Sequence, residues 1–135
     1  MRTAEGDLAA ARILHAAHRY AHACFHAHQS AEKAVKACAF AGGGDPWGHS
    51  VQDLIRELAS DDEDVRRCLL PLAERGARLD RYYIPTRYPN GLPQETPEEA
   101  FFEDDAVQAL AIADEIIAAV RRVLQAADPR HPRDP

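Results

Sequence analysis

The chain has 135 residues, of which 46% are hydrophobic and 28% charged, and it carries a formal net charge of −6. That is the size and make-up of one globular domain with a single core. It excludes a membrane-spanning chain, since no apolar run approaches about 18 residues. It also excludes a polyanion binder that works by bulk charge. The segment Met1-Arg-Thr-Ala-Glu-Gly-Asp-Leu8 puts charges where a signal peptide needs an apolar run. Cys24, Cys38 and Cys68 are odd in number and form no CxxC pair. Both features lead us to expect a cytoplasmic protein whose cysteines act as small apolar residues.

Taken in order, residues 3–41 contain no proline and only Gly6. Their apolar phase (Leu8, Ala11, then Tyr20, Cys24, Ala27, Ala31, Val35, Cys38) does not carry through His15-Ala-Ala-His-Arg19. The spacing predicts two helices, near 3–16 and 19–41, packed closely as an antiparallel pair because so many contacts are alanine. Gly42-Gly-Gly-Asp-Pro46 is a stop signal. Residues 49–59 place Val51, Leu54, Ile55 and Leu58 on one side of a short helix. Residues 65–83 continue the helical period, with Pro71 kinking the helix or starting a new one. Pro85, Pro89, Gly91, Pro93 and Pro97 make 85–97 a loop, and residues 103–125 form a helix buried on a broad face. The tail 128–135 holds three prolines and reads as disordered, after a domain of residues 1–127. No segment alternates with the period of a strand. The fold class is all-α, a four- to five-helix up-and-down bundle. The last helix carries apolar residues on two adjacent sectors, and Phe25 lies outside the second helix's core stripe. Such surplus apolar surface predicts a homodimer.

Three groups of residues carry chemistry. His15, His18, His22 and His26 would line one stripe of an unbroken helix, but a turn near His18 breaks it. No carboxylate-bearing metal motif accompanies them, so no metal or cofactor is expected and these histidines read as solvated. Phe25, Gln29, Glu32, Lys33 and Lys36 share one sector of the second helix. Spacing alone makes Glu32 and Lys36 a surface i,i+4 pair, and the mixed sector an interface or pocket wall. Arg67, Arg75, Arg78 and Arg81 oppose the apolar stripe of the fourth segment, with Arg87 following among Tyr82, Tyr83 and Tyr88. Arginines interleaved with tyrosines suit phosphate and bases, whereas Glu74 and Asp80 would neutralise a merely solubilising face. There is no GxSxG, no Walker loop and no evident partner for Ser30, Ser50 or Ser60.

Several segments together resemble the HEPN family (higher eukaryotes and prokaryotes nucleotide-binding). They are Ala23 to Lys36 with its QxxEKxxK pattern, Gly48-His49-Ser50, Leu79 to Pro89 ending Tyr-Ile-Pro-Thr-Arg-Tyr-Pro, and Ala106 to Val120. The resemblance covers residues 4–125. It implies a homodimeric bundle associated with nucleotides or RNA phosphate, often partnered by a minimal nucleotidyltransferase in a toxin–antitoxin-like system. The ligand-binding residues it implies are Gln29, Glu32, Lys33, Lys36, His49, Arg87 and Tyr88. Ribonucleases of this family carry a His four to six residues after the Arg. Here Tyr88 to Gln94 follow Arg87, and the next His is His131. The reading is therefore a non-catalytic binding module with no catalytic residue assigned. The alternatives are a metal-independent ribonuclease using His49, and a ligand-free interaction protein.

Overall fold

The computed structural model describes residues 1–87 and 97–130, as backbone alone at 84–87 and 97. Its helices are α1 (Arg2–Ala16), α2 (Tyr20–Ala41), α3 (Val51–Asp61), α4 (Glu63–Cys68), α5 (Ala73–Arg87), α6 (Pro97–Ala100) and α7 (Glu103–Ala127), with a 3-10 turn at Leu70–Leu72. No described residue is in a strand, so the all-α bundle expected from periodicity is what forms. The break between the first two helices falls where the apolar phase fails. His18 turns the chain there with φ 60, the one non-glycine residue in the left-handed region among those described.

Alanine sets the intimacy of α1 and α2. Ala4, Ala11, Ala27, Ala31 and Ala34 are all buried. The backbones come close enough for Ser30 Oγ to donate to the Ala4 carbonyl at 2.7 Å. That bond and the approach of His26 to Asp7, at 3.6 Å, run the pair antiparallel, and Lys33 reaches back to the same Asp7 at 2.6 Å. Arg121–Glu5 and Arg12–Asp114 likewise run α7 antiparallel to α1.

Pro71 divides the fourth segment as its missing N–H requires. Asp62 caps α4 by accepting from the Val65 amide, the 3-10 turn carries the proline, and α5 then starts afresh. The predicted loop 85–97 begins later than expected, because α5 continues to Arg87. Proline so near a helix end forfeits only one backbone hydrogen bond. Residues 88–96, including Tyr88, lie outside the described residues, as do 131–135 of the tail.

The apolar surface of the last helix is not surplus once the chain has folded. α7 contacts α1, α2, α4 and α5. Beyond Val107 at its start, both of its sectors are consumed within the chain: Ile112, Ile116 and Val123 are buried, and so are Ala113, Ile117 and Val120. Among the described residues, the large exposed apolar side chains are instead Ile13, Phe40, Trp47, Leu70, Phe102 and Val107.

α3 and α5 meet at Gly76. A Cβ there would lie 2.9 Å from Val51 Cγ1 and 3.4 Å from the Gln52 amide nitrogen. Valine is stiff at χ1 and a helix backbone cannot give way alone. Gly76→Ala should therefore destabilise the protein by about 1–2 kcal/mol in urea unfolding, despite alanine's better helix propensity. A neutral or stabilising result would mean that the helices separate there at no cost.

Candidate functional site

Close approach at Gly76 brings the N-terminus of α3 against α5 one turn before Asp80. Helix N-termini leave amides without partners. Two of them find the Asp80 carboxylate: Val51 N donates to Oδ1 at 2.7 Å and Gln52 N to Oδ2 at 3.1 Å. Ser50 has partners on both sides. Its Oγ accepts from Asp53 N at 3.1 Å, as an N-cap, and donates to Asp80 Oδ2 at 2.9 Å.

A third helix joins the same carboxylate. His28 of α2 is fully buried and its Nε2 lies 3.0 Å from Asp80 Oδ1. An ionised carboxylate only accepts, so Nε2 carries the proton. Burial raises the Asp80 pKa, but the hydrogen bonds from His28, the two amides and Ser50 outweigh it and hold the carboxyl below its ordinary value.

One turn along α2, Glu32 is only 4% exposed. It is not the surface member of an i,i+4 pair that spacing suggests. Its Oε1 accepts from Lys36 Nζ at 2.9 Å and from His49 Nδ1 at 3.1 Å. Its Oε2 has no hydrogen bond and faces His28 Nδ1, likewise unbonded, at 3.9 Å. His49 keeps 60% of its side chain exposed. Its ring stacks on Tyr83 with centroids 5.1 Å apart and an interplanar angle of 15°. Tyr83 also lies 5.2 Å from His28.

The structure thus brings Glu32, Lys36 and His49 together, as three of the seven expected residues. Lys33 turns away to Asp7 of α1. Gln29 is half-buried and makes no side-chain hydrogen bond to a described residue. The backbone register of α5 puts position 87 one turn past Tyr83, on the face of Asp80 and Tyr83. The side chain of Arg87 and the whole of Tyr88 lie outside the described residues.

Two of the four arginines on the face of the fourth segment are held in ion pairs, Arg67 with Asp64 and Arg75 with Glu115. The four histidines 15, 18, 22 and 26 do not share one helix. No group of three or more metal-binding side chains occurs among the described residues. Burial pushes the thiols up, Cys24 to about 12 and Cys38 to about 11, so neither is a thiolate at neutral pH.

Reasoning from spacing missed His28, Asp80 and Tyr83. The available signal was position. His28 falls four residues after Cys24, and Asp80 four after Gly76, both next to the apolar stripes. A buried polar group needs a partner.

The family model described as "HEPN domain" matches residues 1–123. The chain is similar to the crystal structure of TT1696 from Thermus thermophilus, with 37% identity, a TM-score of 0.80, and coverage of 90% of this chain and 93% of that one. It is similar also to the crystal structure of ST0689, described as an archaeal HEPN homologue, with 32% identity, a TM-score of 0.70, and coverage of 89% and 90%. A curated protein of Methanocaldococcus jannaschii named "Putative toxin MJ1304" is 26% identical over 130 residues, which is 93% of this chain and 86% of that protein.

Because Asp80 has a depressed pKa when folded, its stabilising contribution is present above its unfolded value of 3.8 and is lost as pH falls through the folded value. Asp80→Ala strands two amides, a hydroxyl and a buried imidazole N–H. It should cost about 3 kcal/mol of unfolding free energy at pH 7. Asp80→Asn should flatten the acid limb of the denaturant midpoint below about pH 4. An unchanged acid limb in Asp80→Asn would remove the assignment.

Proposed function

The chain belongs to the HEPN domain family, and on that premise we propose that it is a non-catalytic module binding a nucleotide or RNA phosphate in a toxin–antitoxin-type system. The observation that carries this reading is the buried Glu32 carboxylate holding Lys36 and His49 side by side. A carboxylate in that position keeps two N–H donors ordered and close together, and an arriving phosphate can share them. Position 87, one turn past Tyr83 on α5, is an arginine, the residue type suited to a phosphate. The name of the Methanocaldococcus relative supports the toxin half of the reading. The module's partner is a minimal nucleotidyltransferase, to which it presents the bound nucleotide.

The module works as a homodimer in the cytoplasm. The exposed Ile13 of α1 and Phe102 and Val107 at the start of α7 lie toward the end of the bundle where His15 faces Glu103, and they offer the apolar surface for it. Among the described residues no helix is long and apolar enough to cross a membrane.

Calorimetry with ATP and other nucleotides tests the binding, with light scattering in the same buffer for the dimer. The wild type should bind, and Arg87→Ala should weaken binding about 10-fold or more. No heat at millimolar nucleotide, with and without the partner enzyme, would refute the nucleotide reading. A monomer mass unchanged by nucleotide would refute the dimer.

One observation favours a second reading, a metal-independent ribonuclease. Glu32 fixes the His49 tautomer with its proton on Nδ1, leaving Nε2 without a partner among the described residues. That is the arrangement of an oriented general base. The binding-module reading predicts intact RNA after incubation with wild-type protein. Cleavage abolished by His49→Ala would replace it with the ribonuclease.

A further inference from the structure

Trp47 is the chain's one tryptophan and is 82% exposed. Its loop is fastened at both ends and open between them. At the α2 end, the amides of Gly42, Gly43 and Gly44 donate to the last carbonyls of that helix, Gly44 N to Ala39 O at 2.9 Å. At the α3 end, Ser50 and Val51 are tied to Asp80. No backbone hydrogen bond joins Asp45, Trp47 or Gly48 to another described residue. The indole therefore stands in water on a short span with firm anchors.

Two residues on is His49. Tyr83 covers one face of its imidazole, and 60% of the side chain stays exposed, so the other face is open. Side chains two apart on an extended backbone stand about 6.6 Å from each other. That is close to the room one planar ring needs between two others, at about 3.5 Å per contact. The residue between is Gly48, at φ 93. Glycine can exchange that conformation for an extended one without steric cost.

We propose that Trp47 and His49 form the two jaws of a nucleobase site. The base enters between the indole and the open face of the His49–Tyr83 stack, with its phosphate toward Lys36. This rests on the phosphate-binding reading above and adds the base to it. The ligand is a nucleobase carrying a phosphate, either a free mononucleotide or an unpaired base of RNA. Aromatic stacking accepts any base, so the site selects nucleotides over other phosphates without selecting sequence.

The indole is its own reporter, because no other tryptophan emits. Wild type, Trp47→Ala and Trp47→Phe are titrated with AMP, ribose 5-phosphate and a six-nucleotide oligoadenylate, followed by calorimetry and, in the wild type, by tryptophan emission. Being exposed, Trp47 can be replaced without loss of the fold. AMP should shift or quench the emission, Trp47→Ala should weaken AMP about 10-fold, and Trp47→Phe should recover part of that loss. Ribose 5-phosphate should bind wild type and Trp47→Ala alike. Tighter binding of the oligoadenylate than of AMP would support the site and assign it to RNA, and equal binding would support it as a mononucleotide site. AMP heat with unchanged emission and equal affinity in Trp47→Ala would overturn the base site and leave the phosphate reading standing. No heat with AMP or ribose 5-phosphate in the wild type would overturn both.

Discussion

The Asp80 carboxylate takes four hydrogen bonds from two other parts of the chain and so ties three helices together. The α3 amides of Val51 and Gln52 and the Ser50 hydroxyl close one side, and the His28 imidazole of α2 closes another, while Asp80 itself rides on α5. A lone carboxylate placed here would be costly, since burial opposes its charge. With four donors it becomes a fixed node that decides where α3 begins. His49 immediately precedes Ser50, the N-cap of α3, so its place follows from where Asp80 sits. Gly76 makes the node possible by letting α3 and α5 approach.

A second carboxylate depends on the first. Glu32 sits one turn from His28 on α2, and its Oε2 faces His28 Nδ1 at 3.9 Å. Its other oxygen reaches outward to Lys36 and His49. Polar side chains therefore run from the bundle interior to the exposed imidazole of the loop before α3. Buried ion pairs of this kind are weak contributors to stability compared with apolar packing. Their value here is geometric: they hold the Lys36 and His49 donors in fixed relation, with the His49 ring stacked on Tyr83. The stack of His49 on Tyr83 then presents a flat aromatic face beside those donors.

Much of this was legible in the sequence. Helix ends followed Gly42 to Pro46 and Pro71 because glycine and proline act locally, through φ and the missing N–H. The break at His18 followed from the failed apolar phase. The sector holding Glu32 and Lys36 was visible from helical spacing, and His49 came from family resemblance. What spacing could not show was how α2, α3 and α5 meet. His28 and Asp80 are 52 residues apart, and their bond depends on helix packing. For the same reason Glu32 read as a solvated partner of Lys36, although the folded chain leaves it only 4% exposed. α7 shows the opposite omission: the breadth of its apolar surface was plain, but the four neighbours that cover it were not. Trp47 gave no periodic signal at all, since it lies in a loop.

The central claim is that a carboxylate of α5 holds a buried imidazole of α2 and the start of α3 together, and so fixes where His49 stands. Histidine nitrogen–proton correlation by NMR tests it most directly, in the wild-type protein at neutral pH. The account predicts that His28 carries its proton on Nε2, in a hydrogen bond slow to exchange with water, and that this signal is lost in Asp80→Asn. It also predicts the proton of His49 on Nδ1. A His28 ring whose proton exchanges freely with solvent, or sits on Nδ1 with Nε2 bare, would contradict the account.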